Sequence, residues 1–104
     1  MTECPISTAD GVRAADVAWI SRERLASMGG EACLSRAPEI CVEILSQRNT
    51  RREMAEKRNL FFAAGATELW FCAEDGRLVF YTSQDSDGEE KSILCREFPR
   101  SILL

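Results

Sequence analysis

The sequence predicts an α/β domain, a mixed β-sheet with one crossover helix packed on it. Three observations carry that prediction. An apolar, β-branched run, Glu39–Ser46 (EICVEILS), is followed by a capped helical segment, Arg51–Ala64, and then by a second apolar run that turns back at Asp75-Gly76. Strand, helix and strand in that order join parallel strands through a right-handed crossover. The Asp-Gly turn then appends an antiparallel hairpin. At 104 residues the chain makes one small domain, 1–104, with a single core.

Each element has a local reason. Arg13–Ser21 (RAADVAWIS) follows a turn-like ADG and alternates around Val17, Trp19 and Ile20, so it reads as a strand. Arg22–Pro38 lacks a sustained period and contains Gly29-Gly30, which predicts a loop with one or two helical turns near Arg22–Met28. Glu39–Ser46 is too short for a buried helix and reads as the central strand. In the helix, Thr50 and Glu53 have capping-box spacing, and Gly65 supplies the left-handed stop. Glu68–Cys72 and Arg77–Tyr81 form the hairpin arms. Gln84–Lys91 (QDSDGEEK) is an acidic solvated loop, Ser92–Cys95 a further strand, and 97–104 (EFPRSILL) an apolar tail that docks on the core or on another subunit. Trp19 and Trp70 are expected in the core.

Composition removes several chemistries. There is no histidine, so no imidazole-based triad and no His-ligated zinc can be built from this chain alone. Five cysteines without a CxxC pair read as reduced packing residues in a cytoplasmic protein. No apolar run approaches the roughly 20 residues of a membrane helix. The net charge of −4 argues against bulk attraction to nucleic acid, although Arg48, Arg51, Arg52, Lys57 and Arg58 fall within one short segment.

Three charged residues sit where burial is expected: Asp16 in the first strand, Glu43 inside the central strand, and Lys57 on the arc of the helix that also holds Met54, Leu60, Phe61, Phe62 and Ala64. Charges are rarely buried unless paired or bound to an ion. Two neighbouring strands would bring the carboxylates together, and such a pair suits Mg²⁺ or Mn²⁺ better than a soft metal. A structural ion pair between Glu43 and Lys57 or Arg58 explains the same residues.

The ordered set of AADVAWIS, ICVEILS and NTRREMAEKRNLFFAAGATELWF resembles the Uma-two family of restriction endonucleases, within the PD-(D/E)XK nuclease superfamily. The resemblance spans about Val12 to Tyr81. It implies a restriction-endonuclease-like fold and Mg²⁺-dependent (or Mn²⁺-dependent) hydrolysis of phosphodiester bonds. It matches Asp16 and Glu43 to the metal ligands and Lys57 to the catalytic lysine, moved from the strand position held here by Leu45 onto the following helix. Glu53 matches a common acidic position, which the capping box also explains. The pattern departs at Ala15, where a proline is usual, at Phe61, where a tyrosine is usual, and in the short stretch before Asp16.

The expected partner is nucleic acid, DNA rather than RNA by the resemblance alone, with Arg48, Arg51 and Arg52 as phosphate contacts. A sheet shortened at its N-terminal side is expected to expose an edge or to cover it in a homodimer or higher homo-oligomer. The alternative is a catalytically silent interaction or dimerisation module with the same fold.

Overall fold

A computed structural model describes residues 1–29 and 33–102. Residues 30–32 of the expected loop and 103–104 of the expected tail lie outside the described residues. The elements run β1 (Thr2–Thr8), β2 (Gly11–Trp19), α1 (Arg22–Ser27), β3 (Ile40–Ile44), α2 (Arg51–Ala63), β4 (Glu68–Cys72) and β5 (Leu78–Tyr81). The five strands form one sheet in chain order. Only β3 and β4 are parallel, and they are joined through α2. This is the mixed sheet and crossover expected from the sequence.

The helix start matches its sequence signature. The Thr50 side chain accepts from the Glu53 N–H at 3.1 Å, and Glu53 Oε1 accepts from the Thr50 N–H at 3.2 Å. At the other end Gly65 takes a φ of 108°, which a side chain would resist. Arg24 of α1 holds that end, donating to the carbonyls of Ala37 and Gly65 at 2.9 and 3.0 Å. Helix α2 lays Phe61 against Cys41, Leu69 and Phe71, with Cys4, Ile6 and Leu34 in the same cluster. The other face of the sheet packs Trp70, Leu78 and Phe80 against Phe98 and Ile102. Strand β4 is therefore buried on both faces throughout its length, the normal condition of a parallel strand.

Three expectations are corrected. The first is the N-terminus: Thr2–Thr8 is a strand and β2 begins at Gly11 rather than Arg13. The two-residue turn Ala9-Asp10 closes against Gly11 at φ 85°, and Cys4 and Ile6 turn into the core. The second is Ser92–Cys95, which forms no strand because its donors are already used. The Glu68 carboxylate, only 1% exposed, accepts from the Ser92 hydroxyl (2.6 Å), the N–H groups of Ile93 and Leu94 (2.9 and 2.8 Å) and the Trp70 indole (2.8 Å).

The third correction concerns Trp19, which is 55% exposed and not in the core. It projects from the same sheet face as its cross-strand partner Ile40, beside an apolar groove of about 580 Å³ lined also by Val17, Val42, Ile44 and Leu94. The sheet edges are covered only in part. Bridges from Leu34 to Ile6, from Glu89 to Phe80 and from Ser101 to Arg77 occupy parts of both edge strands. The rest of both edges and the apolar groove stay open.

Replacing Glu68 with alanine would leave a buried indole N–H and two backbone N–H groups without their acceptor. We expect a loss of about 2–4 kcal/mol in chemical denaturation, together with faster amide exchange at Ile93 and Leu94. Unchanged exchange there would contradict the clamp.

Candidate active site

Antiparallel pairing of β2 with β3 aligns Val17 with Val42, Ala18 with Cys41 and Trp19 with Ile40. One further step in that register sets Asp16 opposite Glu43, the spacing at which cross-strand side chains meet. The backbone is irregular at this point. Ala15 and Ala18, three residues apart, both enter the main core, so β2 loses strict alternation around Asp16. Opposite Asp16, Glu3 has a φ of 46°, a left-handed conformation uncommon outside glycine. Where the ladder stops, the Ile44 N–H donates to Asp16 Oδ2 at 2.8 Å. A side chain has replaced a backbone acceptor, and the Asp16 carboxylate is fixed by it.

Asp16, Glu43 and Lys57 all line one open cleft of about 870 Å³ between the β1–β2 hairpin and α2. The sequence expectation that the three residues gather is thus a statement about one cleft, with the helix reaching Lys57 toward the strand that bears Glu43. None of the three takes part in an ion pair among the described residues. Glu43 is only 4% exposed. Its carboxyl is pushed up to about 7, first by burial and then by a hydrogen bond to the Asp16 carboxylate that exists only while Glu43 keeps its proton. The Lys57 ammonium pulls the other way, and the Asp16 charge adds to the rise. Close carboxylates of this kind are relieved by a proton or by a cation.

The donor set therefore fits a hard divalent ion. Among the described residues no group of three Asp, Glu, Cys or His side chains is placed to hold a metal. Two carboxylates would leave other positions to water or ligand oxygen, which is how Mg²⁺ is usually held. The cysteines offer no competing soft site here. All five are free thiols, and burial pushes Cys41 up to about 12.

Several cleft residues escape sequence reasoning. Asp10 and Arg13 come from the hairpin, and Glu56 and Asn59 from α2. Their signal lies in a turn that the sequence marks only by ADG and in helical spacing from Lys57. Counting Asp10, Asp16, Glu43, Glu53 and Glu56 against Arg13 and Lys57, the cleft holds five carboxylates and two cations. Arg48, Arg51 and Arg52 are exposed and are not part of the cleft lining; Arg52 pairs with Glu56 at 3.2 Å.

A family model described as "Uma2: Putative restriction endonuclease" matches residues 1–104. The fold is similar to the crystal structure of "a putative nuclease belonging to DUF820" from Anabaena variabilis, with a TM-score of 0.63 at 15% identity. That match covers 86% of this chain and 51% of the other, so the chain spans about half the length of that protein. No curated protein matches the chain.

The raised Glu43 carboxyl has a consequence for stability. Because the folded protein disfavours ionised Glu43, metal-free stability falls as pH rises from about 4.5, the ordinary value, through about 7. Glu43→Gln removes that penalty. We expect the metal-free variant to exceed the wild type by about 1–3 kcal/mol at pH 8 and to match it near pH 4, measured by urea denaturation. Equal stability at pH 8 would show that Glu43 is not strained when charged.

Proposed function

The chain belongs to the Uma2 family, whose model is described as "Putative restriction endonuclease", and we propose that it is a metal-dependent nuclease that hydrolyses phosphodiester bonds of nucleic acid. The observation that supports this reading most is Glu43: a carboxylate almost fully buried in the sheet, facing a second carboxylate and left without an ion-pair partner among the described residues. A purely structural carboxylate is expected to have its acceptor sites filled.

In this reading Asp16 and Glu43 hold Mg²⁺ or Mn²⁺. When bound, such an ion supplies Lewis acidity at phosphate and lowers the pKa of water. The protein's own groups do the positioning. Ile44 N–H keeps one Asp16 oxygen engaged, so that carboxylate has a fixed direction. Glu43, held in the sheet, presents its carboxylate to the same cleft. Lys57, half-buried on the cleft wall, places a positive charge where a phosphate would gain negative charge, or orients the attacking water. Arg48, Arg51 and Arg52, exposed at the start of α2, would meet the nucleic-acid backbone beyond the cleft. DNA is the substrate expected.

Incubation of plasmid and single-stranded DNA with Mg²⁺ or Mn²⁺ is expected to give cleavage. Glu43→Ala and Lys57→Ala should each lower the rate by about 100-fold or more. Absence of cleavage by the wild type with either ion, together with no shift in its thermal unfolding on adding them, would favour the silent module instead.

A further inference from the structure

Five carboxylates against two cations make the cleft a poor receptor for a polyanion. One cation, Lys57, lines the cleft together with the carboxylate pair. The other, Arg13, comes from the facing wall and has no role in the chemistry above. Its guanidinium pairs with the Asp10 carboxylate and makes no other hydrogen bond or ion pair among the described residues. Asp10 is itself held by the hairpin turn: its N–H donates to Thr8 Oγ1 at 3.2 Å, and that hydroxyl donates to the Gly11 carbonyl at 2.6 Å. The turn thus presents a carboxylate to an arginine inside a cleft lined by the proposed metal ligands.

A guanidinium fork accepts a carboxylate or a phosphate with the same geometry. Both side chains are more than half exposed, at 53% and 65%, so the pair is cheap to break. Arg13 lies three residues from Asp16 along β2, or roughly 10 Å at about 3.3 Å per residue. That corresponds to about three nucleotides of duplex rise at 3.4 Å each.

We propose that Arg13 is a binding site for a backbone phosphate of the nucleic acid, and that Asp10 occupies it in the free protein until the phosphate takes its place. This rests on the nuclease reading and adds to it a residue that contacts substrate away from the scissile bond. It also assigns opposite effects to two neighbouring residues. Arg13 favours binding, and Asp10 competes with it.

The test is binding of a labelled DNA duplex, followed by fluorescence anisotropy with Ca²⁺ in place of Mg²⁺ over a series of salt concentrations. Arg13→Ala should weaken binding about tenfold and reduce the salt slope by about one, with Arg13→Lys intermediate in affinity. Asp10→Asn should tighten binding by roughly two- to fivefold. In the Arg13→Ala background the same Asp10 change should have no effect. Arg96→Ala and Asp85→Asn, exposed positions outside the cleft, control for general charge. If Arg13→Ala binds as the wild type does, or if Asp10→Asn tightens binding equally with and without Arg13, the proposal is overturned while the nuclease reading stands. If the wild type neither binds nor cleaves nucleic acid, both fall together.

Discussion

The cleft depends on one cross-strand juxtaposition, in which the register pairing Val17 with Val42 sets the Asp16 carboxylate opposite that of Glu43. A sheet pays for such a pair in electrostatic repulsion. The Ile44 N–H relieves it in part by engaging one oxygen of Asp16 at 2.8 Å. The remainder is visible in the Glu43 carboxyl, pushed up to about 7 by burial and by its acidic neighbour. The hairpin before Asp16 and the helix bearing Lys57 are the two walls of the space into which this unrelieved charge opens.

Two buried glutamates, on β3 and β4, show what separates structure from function in this protein. Glu68 is 1% exposed and accepts hydrogen bonds from four donors, so its charge is spent on holding the segment after Ser92 against the sheet. Among the described residues Glu43, 4% exposed, has Asp16 as its hydrogen-bonding neighbour, with Lys57 on the same cleft pulling on its charge. The residue type and degree of burial are nearly the same, while the partners differ. A carboxylate buried without adequate donors is costly, and such strain is commonly found at functional sites.

Helix α2 is legible in the sequence because its ends are written in side chains: Thr50 and Glu53 at the start and Gly65 at the stop. Strands β3 and β4 are legible because each is a short run of apolar residues with a single charged residue in it. The three cleft residues stand out as charges in apolar surroundings, and the resemblance gives them an order. Strand β1 is harder to see, since Pro5 and a run of polar residues hide the two buried side chains, Cys4 and Ile6, that define it. Arg13 and Asp10 enter the cleft only once that strand folds back on β2. Trp19 shows the opposite failure: its type suggests burial, but its exposure depends on how far across that sheet face the C-terminal segment extends.

The measurement that bears most directly on the carboxylate pair is calorimetric titration of the metal-free protein with Mn²⁺, run at pH 6 and pH 8.5 in buffers of different ionisation enthalpy. Displacement of the shared proton by a cation predicts binding of one ion, tighter at pH 8.5, with release of close to one proton at pH 6 and almost none at pH 8.5, and with loss of binding in Asp16→Asn. Binding that is independent of pH, or that survives Asp16→Asn unchanged, would contradict the account.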